Sequence, residues 1–183
     1  MNNLKNQKGI TMIALAVTVV VILIIAGITV KFGTDAIETA KIESLITNMI
    51  TIKAKGKGYV EEINAKIWDL DEGEKASKRN DLFEEKNMTV KDNNNPEVSG
   101  KINVEALKKD NEENVEYVIY SISKAALNQM GLEELANNSE DGEYAIVYNL
   151  KDFTKFDVLY IAGVDYQENT YYNLSSLQEE VEK

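Results

Sequence analysis

The sequence predicts an α+β protein in which a long N-terminal helix packs on a small antiparallel sheet. Three observations predict this class. Residues 10–30 contain no charged side chain, and an apolar stripe of helical period follows them. The last third of the chain carries closely spaced segments rich in β-branched and aromatic residues. We therefore divide the chain into an N-terminal stretch (1–9), a long helix (10–56), a loop-rich region (57–114) and a sheet region (115–183).

The uncharged run Ile10–Val30 predicts a transmembrane helix. As a helix it would be about 30 Å long, which matches the hydrocarbon core of a bilayer. Lys5 and Lys8 precede it and no acidic residue does, so we expect the N-terminus to stay in the cytoplasm and the C-terminal region to face outward. The run is too long for the apolar part of a cleaved secretory signal peptide. The sequence thus predicts a single-pass protein of the cell membrane.

The junction between the leader and this run carries a family resemblance. Its residues resemble the N-terminus of type IV pilins and pseudopilins, especially the pilin-like proteins of clostridia and other Gram-positive anaerobes: Lys8-Gly9-Ile10-Thr11-Met12-Ile13-Ala14-Leu15. The resemblance implies a pilin-like fold and cleavage after Gly9 by a prepilin peptidase. It also implies methylation of the new N-terminal amine of Ile10.

One position departs from the family pattern. Most pilins carry Glu at the fifth mature position, where its carboxylate pairs with the terminal amine of a neighbouring subunit, and this chain has Ala14 there. The resemblance therefore implies a minor pilin or pseudopilin, with Ala14 and Gly27 in the part of the helix that assembles the filament. Its partners would be the peptidase, other pilin or pseudopilin subunits and the membrane. The alternative is an uncleaved, membrane-anchored ectodomain that binds an extracellular ligand.

The helix is expected to continue beyond the membrane. An apolar stripe occupies one helical face, at Ile42, Leu45, Ile46, Met49 and Ile50. Gly56 and Gly58 predict the end of the helix, because glycine raises the entropic cost of helical backbone. This striped half is the expected cover for the apolar face of the sheet.

The remaining chain divides into two parts. Residues 57–114 are charged and rich in Asn, which predicts loops with one or two short helices and a break before Pro96. Strands are predicted at Val115–Ile122, Glu143–Leu150 and Phe156–Ala162, with a further bent one at Gly163–Asn173. One short helix follows Ser123, which is expected to cap it, and Gly131 ends that helix. The tyrosines are expected to be sheet residues rather than a binding platform.

Composition excludes several classes of site. The chain has no Cys and no His, so disulfides, thiolate chemistry and Ser-His-Asp triads are impossible. Loops that start at Asp69 or at Asp92 lack the spacing of a calcium site. The acidic clusters at 69–74 and 110–113 are expected to be solvated surface charge, so we expect neither a metal nor a cofactor. The net charge of −11 argues against binding nucleic acid. The sequence favours a structural protein over an enzyme.

Overall fold

The computed structural model describes residues 19, 37, 39–109 and 114–182. The chain divides into two compact units, residues 1–43 and 44–183. Residues 39–43 of the first unit are helical. None of the helices among the described residues combines the length and the hydropathy needed to cross a membrane. The uncharged run Ile10–Val30 lies outside these residues apart from Val19.

The second unit combines helices with one antiparallel sheet, as predicted. Its first helix, α1, covers residues 44–67. The other helices are α2 (Glu72–Glu84), α3 (Pro96–Ser99), α4 (Val104–Leu107), α5 (Lys124–Gln129), α6 (Glu133–Asn138) and α7 (Leu174–Val181). The strands are β1 (Met88–Lys91), β2 (Tyr117–Ile122), β3 (Tyr144–Asn149), β4 (Phe156–Tyr166) and β5 (Asn169–Asn173). The spatial order β1-β2-β3-β4-β5 follows the chain, and every neighbouring pair is antiparallel.

Helix α1 covers one face of the sheet. Its buried residues recur every three or four positions; Gly56 is one of them, and the apolar ones are Met49, Ile52, Val60, Ile63 and Ile67. They share one core cluster with alternate residues of three strands, including Tyr120, Ile146, Tyr148, Phe156 and Val158. The predicted cover for the sheet is therefore confirmed. The stripe itself differs at one position, because Ile50 is 44% exposed and Ile52 takes its place in the core.

The predicted end of the long helix at residue 56 is wrong, because α1 continues to residue 67. Gly56 is buried against the sheet. A Cβ at Gly56 would lie 2.9 Å from Cζ of Phe156 and 3.2 Å from Cγ2 of Ile146. The glycine thus lets the helix backbone approach the sheet closely. Beyond it, Val60 and Ile63 extend the apolar stripe, and their burial outweighs the weak helix propensity of glycine.

The prediction of a loop-rich region at 57–114 is wrong over its first half. Helix α2 has 13 residues, and β1 adds an edge strand to the sheet. The burial of α2 is confined to Leu82 and Phe83, so its sequence lacks a clear apolar stripe. The predicted break before Pro96 is present, and the side chain of Asn95 caps α3 by accepting a hydrogen bond from the N–H of Glu97 at 2.9 Å.

The sheet region agrees more closely with prediction. The three predicted strands are present, and Ser123 caps α5 by accepting a hydrogen bond from the N–H of Ala126 at 3.2 Å. The bent segment is a hairpin between β4 and β5, whose two turn residues Gln167 and Glu168 have positive φ. The prediction of a single short helix here is wrong, because α6 and α7 are also present. Helix α6 is short and polar and begins just after the turn at Gly131, whereas α7 follows β5 directly and buries Leu174 and Leu177.

The opposite face of the sheet is also covered. A second, smaller cluster contains the remaining inward residues of the central strands, Ile119, Ala145, Val147 and Leu159. Val98 of α3 and Leu107 of α4 pack on them. Strand β3 is buried along its whole length for this reason. The second unit therefore has three layers, with the sheet in the middle.

Candidate interaction surface

The residues that the sequence assigns to processing and assembly lie outside the described part of the chain. These are Lys8, Gly9, Ile10, Ala14 and Gly27. Cleavage after Gly9, methylation of Ile10 and the assembly role of Ala14 and Gly27 therefore stay predictions. The described residues offer two surfaces of their own.

The first surface is a groove at the C-terminal end of α1. Trp68 is 76% exposed, and it shares the groove with Phe153 and Leu150, which are 42% and 37% exposed. The cavity has a volume of about 520 Å³. We call it the Trp68 groove and define it by Trp68, Lys75, Arg79, Leu150, Lys151 and Phe153. Large apolar side chains exposed together in this way are typical of interaction sites.

Local hydrogen bonds hold the turn that carries Leu150 and Phe153. The side chain of Asn149 is fully buried, and its Oδ1 accepts from the N–H groups of Lys151 at 2.7 Å and Asp152 at 3.1 Å. The hydroxyl and N–H of Thr154 donate to Asp152 at 2.6 and 3.1 Å. The hydroxyl of Thr154 is the main cause that lowers the pKa of Asp152. One wall of the groove is therefore a fixed turn.

The cations of the Trp68 groove are weakly engaged. Lys75 pairs with Glu72 at 2.7 Å, and Lys151 pairs with Glu116 at 3.1 Å. The side chains of Glu72 and Glu116 are 88% and 64% exposed, so each pair contributes little to stability. Arg79 forms no ion pair with the described residues, and its buried Nε has no hydrogen-bond partner among them. Its side chain does hydrogen-bond Tyr120, and its charge helps to lower the pKa of Glu72. The cations of the groove can therefore bind a carboxylate of another molecule.

The second surface lies beside the N-terminal end of α1 in this unit. The first turn of α6 carries Leu132, Glu133, Glu134 and Leu135, which we call the α6 tip. Gly131, with φ of 79°, reverses the chain after α5 and presents this turn. The tip borders a cavity of about 490 Å³ that Ser44 and Asn48 also line. The two leucines are half-buried against the core, and the two carboxylates are exposed.

A buried carboxyl ties α7 to the sheet. Asp157 is 1% exposed, and its Oδ1 accepts from the N–H groups of Val158 at 2.9 Å and Ser175 at 3.2 Å. The Ser175 hydroxyl donates to Oδ2 at 2.5 Å. Burial raises the pKa of Asp157, and the hydrogen bond from Ser175 partly opposes it. The sequence prediction does not include this group, although an acidic residue inside a strand pattern was a signal for it.

The buried tyrosines are core residues. Burial raises the pKa of Tyr120 to about 12 and raises that of Tyr148 as well. Both phenols therefore stay neutral at physiological pH, and stacking with Phe83 and Phe156 holds their rings. Among the described residues, no three Asp or Glu side chains lie close enough together to hold a metal ion. The arrangement in this part of the chain suits binding through its two surfaces.

Comparisons with protein-family models, with curated protein sequences and with solved structures find no match to this chain.

Proposed function

We propose that this chain is a structural subunit, a minor pilin or pseudopilin, of a type IV pilus-like or type II secretion-like filament. The observation that carries the proposal is the junction Lys8-Gly9-Ile10 joined directly to the uncharged run that ends at Val30. A prepilin peptidase would cut after Gly9 on the cytoplasmic side. The apolar helix would stay on the mature protein, which begins at Ile10.

The architecture of the second unit supports this proposal. A long helix whose apolar stripe lies on an antiparallel sheet is what the resemblance implies for the rear half of the helix and the head domain. Gly56 adds to this support, because it lets the helix backbone lie close to Phe156 and Ile146 of the sheet. The helix and head would then move as one body when the subunit enters a filament.

The proposed location is the cell membrane, with the N-terminus in the cytoplasm and the C-terminal domain outside. In this role the uncharged helix holds the subunit in the bilayer until assembly and then packs among the helices of other subunits. Ala14 removes the carboxylate that would pair with a neighbour's amine, which favours a minor subunit. The net charge of −11 makes direct contact with nucleic acid unfavourable.

The test is to co-express the full chain with a prepilin peptidase and to measure the mass of its N-terminal peptide. We expect a peptide that begins at Ile10, with one added methyl group on its amine. The matched controls are Gly9→Val, which should stay uncleaved, and Gly27→Val, which changes a glycine away from the junction and should be cleaved.

A chain that keeps Met1 to Gly9 in the presence of active peptidase would contradict the proposal. It would leave the alternative, an uncleaved anchored ectodomain whose described surface binds an extracellular ligand. A known pilin precursor processed in the same cells shows that the peptidase is active.

A further inference from the structure

We propose that the Trp68 groove of one subunit binds the α6 tip of a second copy of this chain. The inference rests on the proposed function, since it names the contact that would join the heads of neighbouring subunits. Both surfaces lie in the second unit of the chain and are described above.

The two surfaces match in their apolar parts. The groove exposes an indole, a phenyl ring and a leucine around one cavity, at Trp68, Phe153 and Leu150. The tip presents Leu132 and Leu135, whose other sides already pack on the core. A half-buried leucine on a fixed helix loses little side-chain entropy on binding, and aromatic side chains dominate the energetics of interfaces.

The charges also match. The groove is lined by its three cations and also by Glu61 and Glu72. The tip carries Glu133 and Glu134, and none of the described residues that line its cavity is a cation. Neither of these glutamates forms an ion pair with the described residues. In the groove, Arg79 also forms no ion pair with the described residues. Lys75 can exchange its exposed partner Glu72 for another carboxylate. The chain as a whole is acidic, so cations gathered around exposed aromatic rings select an acidic partner.

The position of the two surfaces excludes a contact between them within one molecule. The tip lies beside Asn48 and the groove beside Trp68, close to opposite ends of the same helix. At 1.5 Å per residue these positions are about 30 Å apart along the helix, so one molecule cannot join its own two surfaces. A contact between two different patches of identical chains is heterologous, and it repeats into an open filament unless the rotation closes a ring.

The test uses the absence of cysteine from the sequence. Cysteines are introduced at Ala65, which lines the groove, and at Asn138, which lines the cavity beside the tip. Both positions are exposed and carry none of the apolar or charged contacts of the proposal. In membranes that contain the full chain, mild oxidation of the variant Ala65→Cys/Asn138→Cys should give a ladder of dimers, trimers and longer species. Each single variant should stay monomeric.

Charge reversal then tests the chemistry of the contact. Adding Lys75→Glu should reduce the ladder about tenfold, because it places a carboxylate opposite Glu134. Adding Glu134→Lys to that variant should restore it. The matched control is Lys78→Glu, the same change on the exposed side of the same helix but outside the groove, and it should leave the ladder unchanged. Trp68→Ala should also reduce the ladder, and its 76% exposure means that the fold should survive.

Three results would overturn the inference. Dimers from Ala65→Cys alone would show a symmetric groove-to-groove contact. An absence of ladder from the double variant would show that the surfaces do not meet, and equal effects of Lys75→Glu and Lys78→Glu would show that groove charge plays no part. The N-terminal mass of the same samples separates this test from the proposed function. If a ladder forms from uncleaved chains, the contact is supported and the pilin proposal is contradicted. If the chains are cleaved but form no ladder, only the proposed contact is contradicted.

Discussion

Replacing Gly56 with Ala tests the account of how the long helix meets the sheet. The matched variant is Gly58→Ala, which lies two residues further along the same helix. A Cβ at Gly58 would have no atom within 4 Å, whereas one at Gly56 would lie 2.9 Å from Cζ of Phe156. The two substitutions are chemically identical, so any difference between them comes from the contact with the sheet.

The expected magnitudes follow from two opposing effects. Each substitution gains about 1 kcal/mol, because alanine has the higher helix propensity. At Gly56 the added methyl group must displace the buried ring of Phe156, and overpacking of this kind costs about 1–3 kcal/mol. We therefore expect Gly58→Ala to stabilise the protein and Gly56→Ala to be neutral or destabilising. The gap between their free energies of unfolding should be about 1–3 kcal/mol, which corresponds to roughly 2–4 °C in Tm per kcal/mol.

The assay is thermal unfolding of the full chain in detergent micelles, followed by near-ultraviolet circular dichroism. The buried rings of Tyr120 and Tyr148 belong to the core that Gly56 faces, so their signal reports on this packing. Equal stabilisation by both substitutions would refute the reasoning. It would mean that the helix does not approach the sheet at Gly56.

Three further predictions concern buried polar groups and a helix cap. Tyr120→Phe removes the hydroxyl that donates to Asn80 at 2.7 Å, and it should lower the free energy of unfolding by about 1 kcal/mol. Tyr148→Phe removes a buried hydroxyl that has no partner among the described residues, so it should be neutral or stabilising. Burial raises the pKa of Asp157, so its contribution to stability is greatest below its unfolded value near 3.8 and falls as pH rises through the folded pKa. Asp157→Asn should remove that part of the pH dependence in urea unfolding. Ser123→Ala removes the cap of α5 and should lower the free energy of unfolding by about 1 kcal/mol.

Each of these predictions has its own control. The two tyrosine variants control for each other, and equal effects on the urea midpoint would contradict the assignment of the hydroxyls. For Asp157, parallel stability curves of the two proteins between about pH 4 and pH 7 would show that its pKa is not raised. Ser77→Ala, on the exposed side of α2, should change stability by less than about 0.5 kcal/mol, and a loss as large as that of Ser123→Ala would count against the cap.

The sequence was informative where local chemistry decides the structure. The strands at 117–122, 144–149 and 156–166 carry β-branched and aromatic residues, and their side chains alternate between the two covered faces. Ser123 and Gly131 mark the two ends of α5 through a cap and a positive φ, both of which depend on residue type alone. These features were predicted because each rests on a few neighbouring residues.

Other features depend on contacts between distant parts of the chain. Gly56 was interpreted as a helix end, although its role follows from the ring of Phe156 that faces it. Strand β1 has four residues with one of them buried, and only pairing with β2 makes it a strand. The Trp68 groove brings the end of α1 next to the turn between β3 and β4, which no local pattern could indicate.

The most direct test of the central proposal is the identity of this chain within surface filaments. Filaments are sheared from cells that express the full chain, and the N-terminal peptide is measured by mass spectrometry in the filament and membrane fractions. The account predicts chains that begin at Ile10 in the sheared filaments. It would be contradicted if the chain were found in the membrane fraction alone, with Met1 to Gly9 still attached.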